Sequence, residues 1–285
     1  MNTASADHVR VSLIVTTYNW KEALALVLLG VSRQKRMPDE VIVADDGSDA
    51  DTLELLHAVA LDFPVPLRTV WQAHTGFRVG EARNRAVAVA RGDYVILLDG
   101  DMVPQREFIA DHMGAARRRC FTQGMRALAG RTLRDRMLQR KQTDVSPISD
   151  DLSQRGNALR APVARWMSRP RLAGRKLVMS CNQGFWRSDF IEVNGFDERM
   201  AGWGREDTEL AIRCYNAGIA RLQLRHVALA VHLDHAPRGH GGARTENDVF
   251  LSESEASGRI RCERGIDRHL AVPVDAPDLR PRSED

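Results

Sequence analysis

The stretch Tyr94-Val-Ile-Leu-Leu-Asp-Gly-Asp ends in two acids, Asp99 and Asp101, with Gly100 between them. Carboxylates so placed, just past an apolar strand, can share a divalent cation. Oxygen donors suit magnesium or manganese, and such an ion would bridge a diphosphate. Taken alone, the pair reads equally as an acidic turn. A second candidate is His232-Leu-Asp-His235. One of these imidazoles could complete the coordination of a manganese-like ion. By itself a histidine pair at this spacing is a common surface or core feature, and no tight third ligand argues for zinc. The third is Gly202-Trp203-Gly204-Arg205-Glu206-Asp207. Its glycines permit close backbone approach to a ligand, and Trp203 offers a flat apolar platform of the kind sugars stack on. Glu206 and Asp207 fall where a helix dipole favours the ionised form. A helix cap with a buried tryptophan would give the same string.

Two further groups stand beside these. Asp45-Asp46-Gly47-Ser48 is either a tight turn or an acid that accepts a hydrogen bond from a base or ribose. Arg83-Asn84, on the segment before the Asp99 strand, faces either a phosphate or solvent. The glycine-rich phosphate loops GxGxxG and GxxxxGK[ST] do not occur. Phosphate binding then has to come from metal and arginine.

The elements that must carry these groups alternate over the first 120 residues. Short β-branched runs at Val11–Val15, Val41–Ala44, Leu67–Val70 and Tyr94–Leu98 are separated by helix-like stretches at Lys21–Ser32, Thr52–Ala60 and Gly80–Ala90. This spacing predicts βαβ crossovers and a mostly parallel sheet covered on both faces. In such sheets ligands bind outside the carboxyl ends of the strands, where Thr16 to Asn19, Asp45 to Ser48 and Asp99 to Asp101 fall. Periodicity weakens from Arg117 to Lys176, which reads as helical pieces and loops. A pattern returns at Leu177–Trp186. A helix is expected at Thr208–Asn216, ending at Gly218, then a strand at Val227–Val231, a helix near Glu246–Glu255 and a poorly ordered tail.

With 43% hydrophobic and 28% charged residues, the 285-residue chain is neither collagen, low-complexity disorder nor a disulfide scaffold. Cys120, Cys181, Cys214 and Cys262 form no CxxC pair, so incidental reduced thiols are expected and structural zinc is not. The longest apolar run, Ala23–Leu29, is far short of the roughly 20 residues a bilayer span needs. The first ten residues lack the apolar core of a secretory signal, and a cytoplasmic location is expected. Charge is unevenly placed. Between Arg117 and Lys176 sixteen Lys and Arg face four acids, a net +12, while the remainder is −9. This basic segment is a solvated face, a surface for anionic lipid headgroups at the cytoplasmic membrane face, or a site for an acidic acceptor. Nucleic acid is not expected, because only Phe121 and Trp166 interleave its bases.

Together these strings resemble a known family. VSLIVTTYN, VIVADDGS and GEARNRAVAVARGDYVILLDGD look like the nucleotide-binding half of family 2 glycosyltransferases. NQGFWRSDFIEVNGFDERMAGWGREDTEL followed by VHLDH is similar to the galactosyltransferase-type region of β-1,4-galactosyltransferases and bacterial chondroitin-type polymerases. The resemblance covers roughly Val11–Pro104 and Val178–His235. It implies an α/β GT-A fold: one large domain, with a mostly parallel Rossmann-like sheet and helices on both faces. The expected division is a nucleotide-sugar half at 9–118, a basic insert at 119–176, an acceptor half at 177–236 and a helix with a flexible tail at 237–285.

The resemblance further implies a metal-dependent, inverting transfer of a hexose or N-acetylhexosamine. The donor would be a UDP-sugar, with Mn2+ or Mg2+ as cofactor, and the acceptor a glycan or lipid-linked glycan of cell-surface polysaccharide or lipopolysaccharide. Thr16, Tyr18 and Asn19 match the segment that contacts base and ribose, Asp46 the acid reading the uracil edge, and Arg83 an arginine near the diphosphate. Asp99, Gly100 and Asp101 match the DxD motif. His235 matches the C-terminal metal histidine, and His232 a less uniform second ligand. Asp207 matches the general base, with Glu206 beside it contacting sugar. Trp203 and Gly202 match the loop that shapes the sugar pocket. Arg205 departs from the glycine common at its position. A non-catalytic nucleotide-sugar-binding subunit is the alternative. A nucleotidyltransferase stands further off, because its basic glycine-rich loop is missing.

Overall fold

Val11–Val15 are apolar at nearly every position because they occupy the middle of a sheet packed on both sides. A computed structural model describes residues 9–163, 168–175, 178–236 and 246–271. The first half runs β1 (Val11–Thr17), α1 (Lys21–Ser32), β2 (Glu40–Asp45), α2 (Ala50–Asp62), β3 (Leu67–Trp71), α3 (Val79–Val89) and β4 (Tyr94–Asp99). The second runs β5 (Met102–Pro104), α4 (Phe108–Ala115), β6 (Cys120–Gln123), β7 (Arg126–Ala129), α5 (Arg131–Arg140), β8 (Leu152–Ser153), β9 (Asn182–Trp186), α6 (Arg187–Glu192), α7 (Glu206–Asn216), β10 (Ala220–Gln223), β11 (Ala230–Leu233) and α8 (Glu246–Ser257). A seven-stranded sheet has the order β10-β6-β9-β4-β1-β2-β3, and a four-stranded sheet the order β5-β11-β7-β8. β4, β1, β2 and β3 are parallel; β9 enters antiparallel between β4 and β6.

Alternation along β1 splits the core. Leu13 and Val15 face α1, whose Leu24, Val27 and Leu28 are buried with them; Ile14 faces the alanine-rich α3, α6 and α7. α2 starts where Asp49 accepts a hydrogen bond from the Thr52 amide at 3.3 Å, an ordinary N-cap. On α7, Glu209 and Arg213 are fully buried and paired at 2.7 Å, and Arg213 also donates to the Gly195 carbonyl at 2.7 Å and to that of Val193. This network ties α7 to the 193–195 turn. Losing one partner of such a pair costs about 3–5 kcal/mol.

Three expectations change. The segment from Arg117 to Lys176 is not only helical pieces and loops. β6 and β7 lie in it, one in each sheet, and at four residues each they are too short to show a period of two. The strand expected at Val227–Val231 is β11, displaced to Ala230–Leu233, because His226 and Ala228 turn the chain at φ of 61° and 51°. The chain after α8 is packed through His269: Cys262 and Ile266 are buried, the Ile266 amide donates to the Asn194 carbonyl at 3.0 Å, and His269 Nε2 lies 2.7 Å from Glu198. Trp166, residues 237–245 and the last fourteen residues, 272–285, lie outside the described residues. Among the described residues no helix is long and apolar enough to cross a membrane.

Candidate active site

The carboxyl ends of β1, β2 and β4 open on a cleft of about 1260 Å³, closed on its far side by the 202–208 loop, β11 and α8. Gly100 makes the first turn of its floor. Its amide donates to the Thr16 carbonyl at 2.6 Å, and a Cβ there would lie 2.5 Å from that oxygen. Asp99, in register with Thr16, is drawn into the floor. Its Oδ1 accepts from the Thr16 hydroxyl at 2.8 Å and from Arg83 Nη2 at 2.6 Å.

Asp101 faces the other way. β5 and β11 pair antiparallel with Met102 opposite His232, which brings the far histidines to the DxD turn. Asp101 Oδ2 lies 3.3 Å from His235 Nε2 and 3.8 Å from His232 Nε2, and one ligand atom from each of the three residues lies within 4.8 Å of the others. Nδ1 of His235 is 2.7 Å from the Ala236 carbonyl and donates to it, which leaves Nε2 as the nitrogen turned toward Asp101. Burial, with Arg126 adding to it, holds the His232 pKa below the usual imidazole value despite nearby Asp101, which favours the coordinating neutral form. One carboxylate and two imidazoles fit a manganese-like ion. Asp99, which the sequence groups with these ligands, is absent from the cluster. A second trio, Glu81, Glu198 and His269, also converges, but its acids already pair with Arg78 at 2.8 Å and Arg268 at 3.0 Å.

At the end of the cleft beside β2 and β3, Tyr18 stacks on His74, rings 4.3 Å apart and 12° from parallel. Asp46 is buried; it accepts from Gln72 Nε2 at 2.6 Å and from the Arg78 amide at 2.9 Å, and burial raises its pKa against those bonds. Gly47, at φ 90°, passes so close that a Cβ would lie 2.5 Å from the His74 amide nitrogen. Gln72, His74 and Arg78 hold Asp46 and Tyr18 from outside the cleft lining. The sequence signals only the first two by position, as polar residues within three of the end of β3; Arg78 stands at the start of α3. Asn19 does not line the cleft. At φ 46° it braces the neighbouring turn, its Oδ1 accepting from the Asp49 amide at 2.8 Å.

At the opposite end, Gly202 also sits off the cleft surface, at φ 81°, with its amide donating to the Phe77 carbonyl at 2.9 Å. Trp203, 59% exposed, stands in the cleft wall. Arg205 has the left-handed backbone, φ 76°, that favours glycine. Its side chain pairs with Asp248 of α8 at 2.7 Å, and Asn247 donates to the Gly204 carbonyl at 2.8 Å, so α8 fastens the loop. Glu206 and Asp207 begin α7 and line the cleft. Oε2 of Glu206 is buried with no hydrogen-bond partner among the described residues, and burial, with Asp207 adding to it, pushes its pKa up to about 7. Burial also raises the Asp207 pKa, although Oδ1 accepts from the Thr208 amide at 2.6 Å. Buried Arg83 links the two ends, donating to Ser180 Oγ at 2.7 Å as well as to Asp99, and its charge lowers both raised pKa values in part.

Residues 12–170 match the model for glycosyl transferase family 2. The chain belongs to that family. Residues 163–236 of the transferase match a second model, the N-terminal domain of galactosyltransferase. An uncharacterized glycosyltransferase of Bacillus subtilis, YfnE, is 24% identical, covering 92% of this chain and 73% of its own. The chondroitin synthase of Escherichia coli is 26% identical over 73% of this chain and 32% of its own. The hyaluronan synthase of Pasteurella multocida is 39% identical over 34% of this chain and 10% of its own. The transferase thus spans a third or less of either synthase. Among solved structures, S. aureus TarS 1-349 in complex with UDP-GlcNAc superposes with a TM-score of 0.61 at 16% identity, covering 92% of this chain and 70% of that one. GalNAc-T7 with UDP, GalNAc and Mn2+ gives 0.63 at 16% identity, covering 87% and 48%. These likenesses show the fold, which is GT-A.

Proposed function

We propose that this glycosyltransferase moves a hexose or N-acetylhexosamine from a UDP-sugar to a glycan acceptor with inversion, and that it requires a divalent ion. One observation carries the reading: Asp101, His232 and His235 converge on the same cleft as the Glu206–Asp207 pair. The relatives add the chemistry of their names, a chondroitin synthase in sequence and a UDP-GlcNAc complex in fold.

Asp101, His232 and His235 would hold the ion, which supplies charge neutralisation for the diphosphate. Tyr18 and Asp46 take the base and ribose, and Gly100 brings the β4 turn close to Thr16. Asp207, its pKa raised, accepts the proton of the acceptor hydroxyl as that oxygen attacks the anomeric carbon. General-base help of this kind contributes about 10²–10⁴-fold. Glu206, its pKa pushed up to about 7, is partly protonated at neutral pH and in that form can donate to a sugar oxygen while Asp207 accepts. A single displacement inverts the centre, so an α-linked donor gives a β-glycoside. The +12 charge of residues 117–176 fits an anionic acceptor, including one carried by lipid at a membrane face.

The test is thermal protection by a panel of UDP-sugars with and without Mn2+. One or more should raise the melting temperature only with the ion, and Asp101→Ala should abolish that dependence. Equal protection in ion-free buffer, or an unaltered ion effect in the variant, would falsify the metal assignment.

A further inference from the structure

The cleft contains several arginines, and all but one are committed. Arg83, the arginine that the sequence assigns to the diphosphate, is bound to Asp99 at 2.6 Å and Ser180 at 2.7 Å. Arg205 pairs with Asp248 at 2.7 Å, and Arg175 pairs with Glu255. Arg126 opens β7, lines the cleft half-buried, and has no carboxylate partner among the described residues. Its guanidinium Nη1 lies 3.9 Å from Cys181 Sγ, to which it donates, and the Cys181 carbonyl accepts from the Asp99 amide at 3.3 Å. β7 and β11 are parallel, with Arg126 opposite Ala230 and Leu128 opposite His232. Residues two apart share a sheet face, so Arg126 and His232 share one.

We propose that Arg126 is a second cation for the donor diphosphate, its guanidinium gripping a non-bridging phosphate oxygen beside Asp101, His232 and His235. The proposal rests on the UDP-sugar reading and sharpens it. A half-buried guanidinium without an acid is costly unless a ligand supplies the counter-charge. The need is there as well: Asp101 offsets half the charge of any divalent ion it holds, Arg83 is spent on Asp99, and the leaving diphosphate gains negative charge as the glycosidic bond breaks. The planar fork of arginine suits phosphate oxygens in a way lysine does not.

Calorimetric titration of UDP and of uridine, both with Mn2+, tests this. Arg126→Gln should weaken UDP about tenfold to a hundredfold, the range for a charge-assisted hydrogen bond. Uridine, which carries no phosphate, should bind as before, and Arg126→Lys should recover part of the loss. Since uridine binding reports an intact fold, a loss of UDP affinity alone supports the proposal. Unchanged UDP affinity in Arg126→Gln overturns it, and a raised acceptor KM in that variant would move the guanidinium to the acceptor. A wild-type protein that binds no UDP overturns the donor reading along with it.

Discussion

On the side of the cleft built by β1, β2 and β4, two acids are held by protein donors: Asp46 by Gln72 and Arg78, Asp99 by Thr16 and Arg83. Across the cleft, at the start of α7, Glu206 leaves Oε2 without a hydrogen-bond partner among the described residues, and burial pushes its pKa up to about 7. The first arrangement fixes geometry before a ligand arrives. The second leaves burial uncompensated, so protons there are easily exchanged near neutral pH. A binding site gains from acids already in place, whereas a transfer site needs an acid whose charge is still to be settled. The contrast predicts that substitutions on the α7 side change rate and pH response, and those on the β4 side change affinity.

The largest effect tests the contrast directly. Asp207→Asn removes the carboxylate proposed as the base and should lower kcat by at least about a hundredfold, while UDP affinity stays within a factor of two or so, roughly the uncertainty of 0.5 kcal/mol. Turnover near wild type would take the base role from Asp207. A parallel collapse of UDP binding would instead show that the two sides are not separable.

How much of this could be read in the sequence follows from element length and partner distance. β1, β2 and β4 are strands of six or seven residues built on the runs VSLIV, VIVA and YVILL, and α1 falls on the residues expected for it, Lys21–Ser32. β6, β7 and β10 read CFTQ, RALA and ARLQ, four residues each with polar members, and no period can be counted in so short a run. The same shortness hid how Asp101 meets the histidines, because that depends on the three-residue β5 pairing with β11. Asp99 and Asp101 look equivalent as letters. Only the register of β4 with β1, Thr16 opposite Asp99, shows that one is bound to the floor and the other left for the ion. Arg205 was visible as an odd residue at a glycine position, but the reason, a left-handed backbone held by α8, lay in the fold.

A smaller effect sharpens the electrostatic half of the contrast. The Glu206 pKa is raised from 4.5 to about 7, mainly by burial. Below 4.5 the group is protonated whether folded or not and costs nothing. As pH rises through the interval to 7, the unfolded chain ionises while the folded one holds its proton, and stability is lost, the loss being complete above 7. Wild-type melting temperature should therefore fall between about pH 5 and pH 8, and Glu206→Gln should flatten that fall. At pH 8 the variant should be more stable by on the order of 2 kcal/mol. Parallel pH profiles for the two proteins would mean that the buried carboxyl is not what drains stability.

The smallest effect concerns the loop that carries the pair. Arg205 at φ 76° stores strain that glycine would relieve, worth about 1 kcal/mol. Its bond to Asp248 is half exposed on the arginine side, 55%, and pairs of that kind contribute about 0–1 kcal/mol. The two terms nearly cancel, so Arg205→Gly should leave the melting temperature close to wild type. Arg205→Ala loses the ion pair and keeps the strain, so it should be less stable than the glycine variant by about 1 kcal/mol. The comparison of alanine with glycine isolates the backbone, because neither reaches α8. Equal melting temperatures for the two would show that the turn before Glu206 tolerates a Cβ freely.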